Sequence, residues 1–190
     1  MTEGRGLPPL ARHEPVQTAR SRLWRLRLRF ALAAIGIAGL GATMIDPPAP
    51  RLVWNASASA PRGLYRVSPD AAVAAGDMVI ARTPTPWRGL AARRHYLPAN
   101  VPLVKRVAAT SGDRVCAHGR TISINGIAAA TRRMRDGRGR LLPWWDGCRH
   151  LREGEAFLLM AGAADSFDGR YFGPTPARDI LGKAQLLWLR

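Results

Sequence analysis

Lysine is almost missing from this chain: of its 29 lysine and arginine residues, only Lys105 and Lys183 are lysine. Positive charge is therefore carried by guanidinium, which stays protonated at any workable pH and does not act as a proton acceptor. Acidic residues are scarce too, 13 in all, leaving a formal charge of +16. Cysteine occurs twice, at Cys116 and Cys148, and neither lies in a metal-ligand spacing. The four histidines, His13, His95, His118 and His150, are scattered and read as surface residues, so no metal or cofactor is expected. There is no Gly-x-Ser-x-Gly nucleophile elbow, and a Ser-His-Asp triad lacks support. The positive charge comes without an aromatic stacking platform or a recognition helix, which argues against nucleic acid as a partner. An arginine-rich solvated surface, able to meet anionic lipid, accounts for it more simply.

What the chain does contain begins with an apolar run. Phe30 to Ile45 is sixteen residues without a charge. At about 1.5 Å per residue it covers roughly 24 Å, somewhat less than the ~30 Å of bilayer hydrocarbon. Leu23, Leu26 and Leu28 alternate with Arg22, Arg25, Arg27 and Arg29, whose stems can snorkel, and Trp24 suits an interface. Seven arginines precede the run against Glu3 and Glu14, so the amino end is expected in the cytoplasm. The expected organisation is a cytoplasmic Arg-rich tail over 1–22, a transmembrane signal-anchor helix over 23–46, and an exoplasmic domain over 47–190. A cleaved signal peptide is the rival reading, opposed by the long charged leader and by the poor cleavage site Met44-Ile45-Asp46-Pro47-Pro48. In an oxidising envelope compartment the two cysteines could pair. That needs their Cα atoms within about 7 Å, which spacing does not reveal.

The exported part reads as mainly β. Gly76-Asp77 and Gly112-Asp113 each launch a short apolar run, and Asn125-Gly126 sits between two alternating segments as a hairpin signal. Two further runs, Ala156 to Met160 and Ala184 to Leu189, read as strands. No amphipathic helix of normal length is evident after residue 50. Residues 83–100 and 132–149 read as insertions, the second holding Trp144-Trp145, for which core packing is the default and substrate contact or a dip into the membrane are the alternatives.

Chemistry concentrates at Asn55-Ala56-Ser57-Ala58-Ser59-Ala60-Pro61-Arg62-Gly63-Leu64-Tyr65. Small neighbours keep a serine hydroxyl reachable, and Pro61 with Gly63 forces a tight path. Such clusters are usually linkers, and a serine needs an adjacent base. Lys105 lies in the apolar run Val101-Pro102-Leu103-Val104-Lys105-Arg106-Val107. Snorkelling from a half-buried strand is the plain reading of it. The other is a desolvated amine able to act as that base.

In this form the sequence resembles the signal peptidase I family of serine-lysine leader peptidases, and within it the conjugative-transfer, TraF-like branch. Ser57 to Tyr65 resembles the nucleophile box, and Val104-Lys105-Arg106-Val107 with Gly112-Asp113 and Val115 resembles the lysine box. Ser166-x-Asp168-Gly169-Arg170-Tyr171-Phe172-Gly173-Pro174 is similar to the third box, and Gly182-Lys183-Ala184 to the closing strand. The resemblance implies a signal-peptidase-like β-sheet or barrel domain behind one transmembrane helix. It implies Ser59 as nucleophile, Lys105 as general base, and the Ser57 hydroxyl with the Ser59 backbone N–H as the oxyanion hole. Ser166 would orient the amine, and Asp168 with Arg170 would brace the site. The implied protein is an inner-membrane serine endopeptidase with its catalytic domain in the periplasm, taking a preprotein or prepilin substrate. Shallow pockets for small residues before the cut are expected, and resolution of the acyl-enzyme by water or by the substrate's own amino terminus stays open. Two departures stand out: Met160 to Asp165 lacks the polar run of housekeeping members, and Gly169 replaces a usual serine. The alternatives are a housekeeping signal peptidase and a non-catalytic basic scaffold of a conjugation or secretion channel.

Overall fold

The computed structural model describes residues 17–45 and 49–190, with side chains from residue 21 onward. The chain divides into two units, Met1–Pro48 and Ala49–Arg190. Residues 1–16 of the tail expected over 1–22, His13 among them, and Asp46 to Pro48 lie outside the described residues.

In the first unit, α1 (Gln17–Ile45) is one uninterrupted helix. Its segment Ser21–Ile45, 25 residues, is long and apolar enough to cross a membrane. At about 1.5 Å per residue it spans roughly 37 Å, so the Arg/Leu stretch does extend the charge-free run as one helix.

The second unit is mainly β, as expected. One six-stranded sheet has the order β1-β2-β10-β3-β4-β9. Its members are β1 (Leu52–Asn55), β2 (Gly63–Ser68), β3 (Met78–Ala81), β4 (Leu103–Ala109), β9 (Phe157–Leu158) and β10 (Ile180–Leu189). A four-stranded sheet has the order β7-β6-β5-β8. It is built from β5 (Arg114–His118), β6 (Thr121–Ile124), β7 (Ile127–Thr131) and β8 (Gly147–His150). The Asn125-Gly126 signal holds: both residues have positive φ, 51° and 85°, and they join β6 to β7. Ile122, Val115, Ala117, Phe157 and Leu159 form one buried cluster beneath this sheet.

The six-stranded sheet is coiled, and that coiling matters for the site. Three strand-to-strand steps separate β2 from β4, about 14 Å in a flat sheet. Strand β10 lies between β2 and β3 and has register shifts at Ile180/Gly182 and Leu186/Trp188. Such bulges increase local twist and bend the strand. The loop after β1 then folds over the sheet, where Ala60 is buried with Tyr65, Val67, Ile80 and Val104. Gly63, at φ 151°, opens β2, and a Cβ there would lie 1.9 Å from the Trp188 carbonyl oxygen. Only glycine fits that close approach of β2 to β10.

The insertion over residues 83–100 contains a helix that the sequence reading did not anticipate, α2 (Thr85–Arg93). Pro86 occupies its first turn, where a missing N–H is no loss. The helix buries only Ala91, so it carries too little apolar periodicity to be seen in the sequence. A short turn of helix, α3 (Gly169–Phe172), is capped by the Asp168 side chain accepting from the Arg170 N–H. Of the paired tryptophans, Trp145 packs edge-on against Phe157 with centroids 6.4 Å apart. Trp144 is exposed and covers the Arg132 guanidinium at 3.5 Å.

Candidate active site

Ser59 sits on the loop between β1 and β2, and that loop is wound around one side chain. Asn55, the last residue of β1, is buried and donates through Nδ2 to the carbonyls of Ser57, Ala60 and Pro61 at 3.0–3.1 Å. Its Oδ1 accepts the Ser57 N–H at 3.0 Å, and the Tyr65 hydroxyl donates to the Pro61 carbonyl at 2.8 Å. The buried polar groups of an irregular loop are thus satisfied internally, which fixes where Ser59 stands. Sequence reasoning gave Asn55 no role. An asparagine at a strand end reads as an ordinary turn residue, and its partners become visible only in the folded loop.

Lys105 is on β4, in register with Val79 on β3, and is only 3% exposed. The snorkelling reading is therefore excluded. Its Nζ lies 2.7 Å from Ser59 Oγ and 2.8 Å from Ser166 Oγ. Burial pulls the amine down from 10.5 to about 8; Asp168 opposes this and Arg170 adds to it. A neutral amine has one lone pair and two N–H groups. It can accept the Ser59 proton while donating to Ser166.

Asp168 and Arg170 form a buried ion pair, 0% and 1% exposed, with Arg170 Nε 2.9 Å from Asp168 Oδ1. The pair also explains how the loop from Met160 to Asp165 manages without a polar run. Arg170 donates to the Met160 carbonyl at 2.8 Å, and Asp168 Oδ2 accepts the Met160 N–H at 3.0 Å. Asp165 pairs with Arg133. Backbone groups thus take contacts that polar side chains could otherwise make. The glycine at 169 has a steric cause. A Cβ there would stand 2.7 Å from the Leu158 carbonyl oxygen and 2.8 Å from the Phe157 ring.

Ser57 Oγ lies 3.0 Å from Ser59 Oγ and accepts the Ser59 N–H at 3.3 Å. The two groups expected as oxyanion donors are thus adjacent to the same oxygen and bonded to each other. A carbonyl oxygen placed beside Ser59 would compete for both. Ser59 lines two cavities: a groove of about 740 Å³ shared with Ser57, Lys105 and Ser166, and a shallower one of about 430 Å³ bounded by Ala58, Met160 and Arg62. The larger groove exceeds what shallow pockets for small side chains require. Of the sequence-expected site residues, Ser57, Ser59, Lys105 and Ser166 form one hydrogen-bonded chain, while Asp168 and Arg170 form a separate ion pair whose charges act on Lys105 without touching it.

Lys183 lies apart, half-exposed, with its Nζ 2.8 Å from Asp77 Oδ1. Cys116 and Cys148 face each other across β5 and β8 and form a disulfide. His118 joins them within 4.8 Å, yet both sulfurs are committed to the disulfide and offer no thiolate to a metal. His95, His118 and His150 are exposed, in line with the surface reading.

The second unit is thus mainly β and holds a serine and a buried lysine in hydrogen-bond contact, and sequence comparison supplies the family. The chain belongs to the family described as signal peptidase, peptidase S26, whose profile matches residues 24–189. Among curated relatives it is 36% identical to a probable conjugal transfer protein TraF of Sinorhizobium fredii, over 69% of this chain and 73% of that one. It is 34% identical to a conjugal transfer protein TraF of Agrobacterium fabrum, over 83% of this chain and 94% of that one. A crystal structure of a signal peptidase I from Enterococcus faecalis aligns at 17% identity and a TM-score of 0.36, over 60% of this chain and 97% of that one.

Proposed function

We propose that this protein is a membrane-anchored serine endopeptidase working through a Ser59–Lys105 dyad. The observation that carries the reading is the 2.7 Å approach of Lys105 Nζ to Ser59 Oγ, with the amine drawn down to about 8 by burial. A base of that strength is partly neutral near physiological pH, where a general base works best. Lys105 takes the Ser59 proton as Oγ attacks the scissile carbonyl. The oxyanion accepts from the Ser59 N–H and the Ser57 hydroxyl, each such donor being worth on the order of 10² to 10³ in rate. The lysine then returns the proton to the leaving amine. An ester to Ser59 is left behind. Ser166 keeps the Nζ lone pair aimed at Ser59, and the Asp168–Arg170 pair holds the segment that carries Ser166.

The acyl-enzyme is resolved by water or by the substrate's own amino terminus. In either case Lys105 deprotonates the incoming nucleophile and Ser59 recovers its proton. The substrate we infer is the precursor of an exported subunit of conjugation, a prepilin, because relatives similar over most of the chain are named as conjugal transfer proteins. Helix α1 anchors the enzyme in the inner membrane with its arginine-rich end in the cytoplasm and the β unit outside, next to lipid. The test is the mass of a candidate prepilin before and after incubation with solubilised protein. Loss of a terminal peptide supports the endopeptidase, and a further loss of one water supports cyclisation. An unchanged mass, or equal processing by Ser59→Ala protein, refutes the dyad.

A further inference from the structure

The two insertions, between β3 and β4 and between β7 and β8, are fastened to each other at one carboxylate. Tyr96, just after α2, donates its hydroxyl to Asp136 Oδ2. Asp136 also accepts from Arg140 Nε at 2.7 Å and from the backbone N–H groups of Arg138 and Arg140 at 2.9 Å. Two more links run beside it: Arg94 donates to the Leu141 carbonyl at 2.6 Å, and Arg140 donates to the Arg94 carbonyl at 3.3 Å. Such insertions have little core of their own, and ordering them costs about 1 to 2 kcal/mol per residue in backbone entropy. Closing them around one part-buried carboxylate offsets part of that cost.

The fastening faces the chemistry. Tyr96 and Asp136 line the same groove as Ser59 and Lys105. The Tyr96 ring also packs 5.1 Å from Phe167, which stacks on Tyr171 with centroids 5.9 Å apart. Phe167 stands between Ser166 and Asp168 in sequence, so the fastened insertions bear directly on the segment that positions the lysine. The rest of the lining is mostly apolar, with Trp54, Val101, Leu103 and Leu142 exposed to whatever fills about 740 Å³.

Building on the peptidase reading, we propose that Asp136 clasps the two insertions into one wall of the groove. Tyr96 and Asp136 are positioning residues for an extended apolar segment of the substrate upstream of the cut bond. A preformed wall spares the enzyme the cost of ordering two loops on each substrate, so it acts on binding before the acyl-transfer step. It also makes recognition depend on residues well removed from the bond that breaks.

Two synthetic peptides with the same small-residue cut site test this, one with about three residues upstream of the bond and one with about eight, mostly leucine and valine. At ~3.3 Å per extended residue they reach roughly 10 Å and 26 Å along the groove. In full-length solubilised protein, Tyr96→Phe and Asp136→Asn should lower the long-to-short ratio of kcat/KM by roughly tenfold, chiefly through KM, in proportion to one or two lost hydrogen bonds. A ratio that stays at the wild-type value overturns the clasp, because loss of fold alone would lower both peptides together. The same comparison, read as binding of fluorescently labelled peptides to Ser59→Ala protein, separates the two ideas. Failure of wild-type protein to cut either peptide sinks the dyad. An undiminished preference for the long peptide in the Tyr96→Phe, Ser59→Ala double variant sinks the clasp.

Discussion

Strands β4 and β10 belong to one sheet and each carries one of the chain's two lysines, yet the two regions treat the ammonium group in opposite ways. On β4, Lys105 is buried and meets two serine hydroxyls. On β10, Lys183 is 44% exposed and meets the Asp77 carboxylate, which it holds below the usual carboxylate range. Burial without a directly bonded carboxylate lowers a lysine's affinity for its proton, and a carboxylate in water secures it. The difference between an amine that gives up its proton more readily and a surface ion pair lies in these partners, since the residue is the same.

The largest expected effect on this contrast comes from Lys105→Arg. A guanidinium keeps its proton, so cleavage should fall by about 10² to 10⁴ while the fold is retained. In the native enzyme kcat/KM should rise with pH and level off above about 8, since the neutral amine is the active form and deprotonates through that value. A flat profile from pH 6 to 9 would break the contrast. Next is Arg170→Met, which leaves Asp168 as an unpaired charge at 0% exposure. Thermal or denaturant unfolding should report a loss of about 3 to 5 kcal/mol, with a smaller loss when Asp168 is replaced as well. Gly169→Ser comes third. It restores the residue usual in the family but drives a side chain into Leu158 and Phe157, and should cost about 1 to 3 kcal/mol by the same measurement. The smallest effect is expected of Lys183→Gln. Its half-exposed pair is screened by solvent, so stability should change by less than about 1 kcal/mol, and cleavage should stay near the wild-type rate. A large loss of cleavage there would show that the two lysines are not as different as their surroundings indicate.

Much of the fold was legible. Gly76-Asp77, Gly112-Asp113 and Asn125-Gly126 punctuate short apolar runs, and turn chemistry is local enough to be read residue by residue. Helix α2 was not legible, because nine residues with one buried alanine leave no periodic apolar face. The six site residues could be named because they fall in ordered boxes resembling a known family. Asn55 and the Tyr96–Asp136 clasp could not, because each acts through partners 40 residues away or through backbone carbonyls of a folded loop. The groove's size was also beyond the sequence, since it depends on how two insertions meet.

By itself the sequence determined that one segment is long and apolar enough for a bilayer, that the remainder is mainly β, and that one of the two lysines, Lys105, lies in an apolar run. Those properties follow from composition and short-range periodicity. Only the tertiary structure decided that the sheet coils enough to bring a loop beyond β1 onto β4 and that Lys105 is buried without a directly bonded carboxylate. It also decided that Cys116 and Cys148 lie opposite each other. Proton affinity and reach depend on which atoms are near in space, and strand order, bulges and packing set that nearness.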